Sequence, residues 1–212
     1  SVTSKAGSAD VVEALGVRID LPPEEVQRCI ERIGIGFMFA PRFHMAMKHA
    51  IGPRKEMGIR TVFNILGPLT NPASAQAQVM GVYDATLTDK LARVLKKLGC
   101  ERAMVVHGVD GLDEISTLGR TQVSELNRSG IRTYMIEPED FGIERVKPDA
   151  IAGEELEENV RMLLRVLHGG TGPRRDIVLL NAAAAIAVGG KAGDLREGIS
   201  IASESLDSGR AY

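Results

Sequence analysis

The sequence predicts an α/β fold: a mainly parallel central sheet flanked by helices. Three observations point there. Gln78-Val-Met-Gly-Val-Tyr83 and Arg102-Ala-Met-Val-Val106 are short apolar runs. Between them Leu87, Leu91, Val94, Leu95 and Leu98 recur at helical spacing as far as Gly99. This β-α-β order gives parallel strands joined by a right-handed crossover. The second run then breaks into Gly108 and Gly111, so the chain leaves the sheet at the end where open α/β sheets bind ligands.

The other elements follow in chain order. Ser8 to Leu15 reads as a short helix closed by Gly16. Pro22-Pro23-Glu24-Glu25 opens a second helix, with proline in its first turn and acids at the positive end of its dipole. Val26, Ile30 and Ile33 form its apolar stripe, Cys29 lies on its inner side, and Gly34 ends it. Pro41 begins a third helical stretch to Met57, interrupted at Gly52-Pro53. Past the β-α-β unit, Thr121 to Leu126 and Thr133 to Ile136 are strand candidates. Leu156, Val160, Leu163, Leu164 and Leu167 mark an amphipathic helix. Pro173 to Val188, with four consecutive alanines from Ala182, reads as a tightly packed buried helix, and Asp194 to Leu206 as the last one.

Composition narrows the function classes. The 212 residues are 44% hydrophobic, enough for a sizeable core, yet no apolar run approaches the roughly 20 residues of a membrane span. Lys and Arg number 26 against 28 Asp and Glu, with no long block of one sign, which argues against a general nucleic-acid or membrane-binding surface. Cys29 and Cys100 are far apart and form no Cys-x-x-Cys, so a reduced, cytoplasmic protein is expected.

Four stretches carry possible chemistry. In His107-Gly-Val-Asp-Gly-Leu-Asp-Glu-Ile-Ser116 the adjacent Asp113 and Glu114 diverge on an extended or turn backbone. That arrangement suits Mg²⁺, which takes one or two carboxylates together with substrate phosphates. It equally suits a solvated acidic turn. Ser1-Val-Thr-Ser-Lys-Ala-Gly-Ser8 sets hydroxyls and Lys5 before a helix start, as an anion site would, or as an ordinary Ser-capped helix would. In Phe39 to Arg54, Met47 lies three residues after His44 and seven before Arg54. One side of a helix there would offer a cation, an imidazole and an apolar surface, fit for an aromatic carboxylate. A surface Arg with a core Met is the plainer alternative. Asn64-Ile-Leu-Gly-Pro-Leu-Thr-Asn-Pro72 is turn-rich, and Gly67 lets backbone approach a ligand closely.

Taken together, these stretches resemble anthranilate phosphoribosyltransferase. Ser1–Asp10, Phe39–Arg54, Arg60–Pro72 and His107–Ser116 stand in that family's order and approximate spacing, Asp176–Ala184 matches a helix of it, and the likeness covers essentially the whole chain. The sequence departs from the family at Met45, where Pro is common, and at Phe43, which often corresponds to His.

The resemblance implies a nucleoside phosphorylase/phosphoribosyltransferase-type catalytic domain. The reaction it implies moves 5-phosphoribose from phosphoribosyl pyrophosphate (PRPP) to the amino group of anthranilate, releasing pyrophosphate, on the way to tryptophan. By similarity Ser1, Val2, Thr3, Ser4, Lys5 and Ser8 bind PRPP. Arg54 contacts the anthranilate carboxylate, with His44, Met47, Gly67 and Pro68 forming the acceptor pocket. Asp113 and Glu114 hold Mg²⁺, and no residue acts as nucleophile or general acid or base. Residues 1–20 and 58–212 would form the catalytic domain. The helices of 21–57 would pack with an N-terminal helical domain that lies, with the family's Gly-Thr-Gly-Gly-Asp loop, upstream of Ser1. The implied partners are the two substrates and a second subunit of a full-length homodimer, without nucleic acid or membrane. A pyrimidine nucleoside phosphorylase-like enzyme and a non-enzymatic nucleic-acid-binding relative are the alternatives. Arg54 beside the Asn-Ile-Leu-Gly-Pro-Leu run disfavours the first, and the charge balance disfavours the second.

Overall fold

The computed structural model describes residues 7–43 and 63–212. The chain divides into two compact units, one of Ser1–Pro72 with Gly153–Val160 and one of Ala73–Ala152 with Arg161–Tyr212.

In the first unit α1 spans Ser8–Ala14, α2 Pro23–Ile33, α3 Ala40–Phe43 and α4 Phe63–Leu69. Gly7 is the N-cap of α1, one residue earlier than a Ser-capped start, and Asp10 accepts its backbone N–H at 2.7 Å. α2 has Pro23 in its first turn, and Gly34 closes it in the left-handed conformation. Its expected stripe is buried only at Val26, 2% exposed, whereas Ile33 is 70% exposed and Cys29 is half-buried. α3 begins the expected third helix; the rest of that stretch lies outside the described residues. The turn-rich stretch after it forms α4. Its apolar start carries a helix, and Pro68, which cannot donate back into the helix, falls in the last turn before the chain leaves.

The second unit carries the sheet. β1 (Ala77–Gly81), β2 (Arg102–Gly108), β3 (Thr121–Asn127) and β4 (Gly130–Ile136) lie side by side in chain order. β1 and β2 are parallel, from Ala77 opposite Arg102 to Gly81 opposite Val106, and α5 (Leu87–Lys97) is their crossover. β3 and β4 then add antiparallel. The α/β class with flanking helices therefore stands, but among the described residues the sheet is mixed, not mainly parallel. The reason is local. No helix intervenes between β2 and β3 to carry the chain back to the starting edge, and only Arg128-Ser129 separate β3 from β4. Such short returns close antiparallel pairs.

Both faces of the sheet are covered. On one face Gln122 of β3 donates to the Ala85 carbonyl at 2.8 Å and to Thr88 Oγ1 at 2.7 Å, tying down the start of α5, which buries Leu91, Ala92 and Leu95. On the other face α7 (Pro173–Val188) packs Leu180, Ala183, Ala184 and Val188 against Met104, Val106, Val123 and Ile136. α6 (Leu156–Leu167) buries only Val166, which joins Leu179 with Ala202 and Leu206 of α8 (Leu195–Asp207). α7 and α8 approach so closely that a Cβ on Gly198 would lie 2.7 Å from the Ala183 carbonyl oxygen. The alanine run and Gly198 together permit that spacing. Buried Arg175 then joins the two helices through Ser203 and Asp207, at 2.8 and 2.9 Å.

Candidate active-site loop

β1 ends at Gly81, opposite Val106, and the parallel β2 runs on to Gly108, so the loop 109–120 rises at the carboxyl edge of that pair. This is where open α/β sheets hold ligands. The loop is built rather than loose. The Gly108 N–H donates to the Leu112 carbonyl at 2.8 Å, and the Val109 N–H to the Arg120 carbonyl at 2.9 Å. Asp110 accepts from the Leu112 N–H through one carboxylate oxygen and from the Ser116 hydroxyl, at 2.5 Å, through the other. The Ser116 N–H donates in turn to Thr121 Oγ1 at 2.9 Å. Three side chains thus hold the two ends of the loop together.

Asp113 and Glu114 sit at the crest of this loop, both exposed, directly before Ile115, which is 1% exposed in the core. The buried isoleucine pins the crest, leaving the two carboxylates outside. A Cβ on Gly81 would fall 1.6 Å from the Asp113 carbonyl oxygen. Only glycine at the end of β1 lets the loop backbone settle there. Sequence reading missed Gly81 in this role because its partner is distant in the chain. It also missed Asn181 of α7, whose side chain accepts from the Ile115 N–H and donates to the Ile115 carbonyl, both at 2.9 Å. The available signal was an amide within the apolar run Ile177 to Ala185.

The electrostatics of the crest are one-sided. Among the described residues no cation and no hydrogen-bond donor engages either carboxylate. Although Glu114 is exposed, surrounding protein displaces enough water to push its carboxyl above the ordinary value, and the Asp113 charge adds to the rise. Two like charges held side by side favour a divalent cation. His107, buried at the end of β2, places Nδ1 2.8 Å from the Val82 carbonyl oxygen; a carbonyl only accepts, so that nitrogen bears the proton. Among the described residues no three His, Cys, Asp or Glu gather into a closed metal cage. An exposed pair of hard oxygen donors fits Mg²⁺, which keeps several waters and completes its shell with substrate phosphates.

The other predicted site residues stand as follows. Ser8 is exposed at the start of α1. Gly67 and Pro68 lie in α4, where a Cβ on Gly67 would meet nothing within 4 Å. Ser1, Val2, Thr3, Ser4, Lys5, His44, Met47 and Arg54 lie outside the described residues. A separate cleft of about 270 Å³ opens over the sheet near Arg102, Tyr134 and Leu195. Both of its carboxylates are already engaged: Glu125 by Arg132, Tyr134 and Asn127, and Asp194 by the Glu197 N–H, which it caps at the start of α8.

Comparison with known proteins bears on the whole chain. It is 56% identical over 211 residues to anthranilate phosphoribosyltransferase of Acetivibrio thermocellus and 56% identical to that of Geobacter sulfurreducens, covering all of this chain but 61% and 60% of theirs. The crystal structure of anthranilate phosphoribosyltransferase from Thermus thermophilus superposes with a TM-score of 0.92 at 46% identity, over all of this chain and 63% of that one. The Saccharomyces cerevisiae enzyme in complex with PRPP and Mg superposes with a TM-score of 0.88 at 32% identity, over 99% of this chain and 59% of that one. The chain thus spans about three-fifths of the length of the relatives it matches. The family model for the glycosyl transferase family, a/b domain, runs from residue 1 to residue 212, and the chain belongs to that family.

Proposed function

We propose that the protein containing this chain transfers 5-phosphoribose from PRPP to the amino group of anthranilate, releasing pyrophosphate, in tryptophan biosynthesis. The observation that carries this reading is the braced carboxylate pair Asp113–Glu114, which no cation among the described residues engages, within a chain that resembles anthranilate phosphoribosyltransferases throughout. Yeast structures with PRPP and Mg, and with 4-fluoroanthranilate, support the choice of both substrates.

On this reading Asp113 and Glu114 would hold Mg²⁺. When bound, the ion offsets negative charge on the departing pyrophosphate. The chain's own residues bind and orient. Ser1, Val2, Thr3, Ser4, Lys5 and Ser8 wrap the ribose phosphates. Arg54 meets the anthranilate carboxylate in two-point geometry, and His44, Met47, Gly67 and Pro68 shape the acceptor pocket. As the C1–O bond to pyrophosphate loosens, the ribose gains oxocarbenium character and the nearby amine closes on C1, its surplus proton passing to solvent or to the departing pyrophosphate. No protein nucleophile is needed, and none is assigned. The reading further makes the protein a cytoplasmic homodimer without nucleic-acid or membrane partners, in which 21–57 packs with a helical domain outside this chain. Among the described residues no helix is long and apolar enough to cross a membrane.

The test is direct. The full-length protein, PRPP and Mg²⁺ together should abolish the fluorescence of anthranilate over time, and omission of any one should prevent it. Unchanged anthranilate in the complete mixture overturns the assignment.

A further inference from the structure

We propose that Asn181 is a positioning residue that sets the aim of the Asp113–Glu114 pair from the core of the sheet unit. The proposal rests on the reading of that pair as the Mg²⁺ site. An amide in a helix interior is a weak helix former, because its side chain competes for backbone groups. Asn181 puts that tendency to use across a gap of 66 residues. Its Oδ1 accepts from the Ile115 N–H and its Nδ2 donates to the Ile115 carbonyl, each at 2.9 Å, so the amide acts on the loop as one rung of a strand ladder. Nδ2 also donates to the Ile177 carbonyl one turn back at 2.9 Å, which holds the side chain in its rotamer. The two groups on Ile115 fix the amide's orientation, since a flipped amide would set donor against donor and acceptor against acceptor.

The base of this lever is stiff. Leu180, Ala183 and Ala184, on the same helix, are fully buried against the sheet. The tip is one peptide from Glu114. Ile115 fills the core below, and Gly81 leaves no room for the Asp113 backbone to rise or rotate without changing that contact. The exposed carboxylates owe their direction to this backbone, because no side chain among the described residues engages them. Outer contacts of this kind move metal affinity by about 10–100-fold in other proteins.

The experiment uses the full-length protein and titrates Mg²⁺ at fixed PRPP and anthranilate. Asn181→Ala should raise the Mg²⁺ concentration for half-maximal turnover by about tenfold or more, while turnover at saturating Mg²⁺ falls far less. A role in stability alone would lower Tm and leave the Mg²⁺ curve in place; a folded Asn181→Ala protein with the parent's curve overturns the proposal. If that variant does not fold, Asn181→Asp replaces it. The carboxylate keeps an acceptor for the Ile115 N–H but cannot donate to the Ile115 carbonyl, and the same two outcomes decide. Asp113→Asn with Glu114→Gln runs in parallel. A parent-like Mg²⁺ curve in that double variant overturns the metal reading itself, which separates its failure from a failure of Asn181 alone.

Discussion

At the residue scale the acidic pair and its supports differ in how they show in the sequence. Asp113 and Glu114 were legible because everything that marks them is local: a strand, two glycines and two consecutive acids. Gly81 and Asn181 were not, since their partners come from the other end of a folded path. Two outcomes follow from this scale. Gly81→Ala sets a methyl 1.6 Å from the Asp113 carbonyl oxygen, so the loop backbone must shift. Thermal unfolding should report a loss of about 1–3 kcal/mol, the usual range for overpacking, together with a higher Mg²⁺ requirement. A variant matching the parent in both would show that the loop has slack. Arg54→Ala in the full-length protein should raise KM for anthranilate by about one to two decades, the effect of losing one charged hydrogen-bond partner worth about 1.5–3 kcal/mol. An unchanged KM removes Arg54 from the acceptor site.

At the element scale the periodic segments read well and the strand directions did not. Helix α7 was expected from Pro173 to Val188 and is observed there, because proline, an apolar run and a following glycine all agree. The sheet was expected to be mainly parallel because the β-α-β unit was extrapolated beyond the only crossover helix that the described strands possess. The contrary signal was the short span between the strand candidates Thr121 to Leu126 and Thr133 to Ile136, too short for a crossover helix; the return itself is Arg128-Ser129. The resulting hairpin carries its own electrostatic tie. Burial pushes the Glu125 carboxyl up, but hydrogen bonds from Arg132, Tyr134 and Asn127 outweigh it and hold the pKa below the ordinary value. Burial chiefly, with Glu125 beside it, pushes the Tyr134 hydroxyl to about 12, so it stays a donor at neutral pH. A depressed carboxylate contributes stability that is complete above its unfolded pKa, about 4.3, and disappears as pH falls through the lower folded value. Arg132 is 69% exposed, so solvent screening limits the contribution to about 1 kcal/mol at most. Glu125→Gln should therefore lower Tm modestly at pH 7, and the gap to the parent should close below about pH 4. A gap that stays constant across that range would mean the hairpin gains nothing from the charge.

At the scale of the whole molecule, activity should need more than these 212 residues. The carboxylate pair belongs to the sheet unit, whereas Ser8, Gly67 and Pro68 belong to the other. The chain spans about three-fifths of the length of relatives that carry the enzyme's name, and nowhere does it spell the Gly-Thr-Gly-Gly-Asp loop expected to grip pyrophosphate. Phosphoribosyl transfer gains its rate from holding leaving group, cation and acceptor at once, in a site that excludes water. A site without that loop would not do this, because water would compete for the phosphate oxygens and the acceptor would not be held in line. The isolated 212-residue chain should consequently consume no anthranilate with PRPP and Mg²⁺, as followed by fluorescence. Adding the remaining part of the full-length protein, covalently or in trans, should restore consumption. Turnover by the isolated chain would mean that pyrophosphate is held by residues within it, and that the expected division of the active site is wrong.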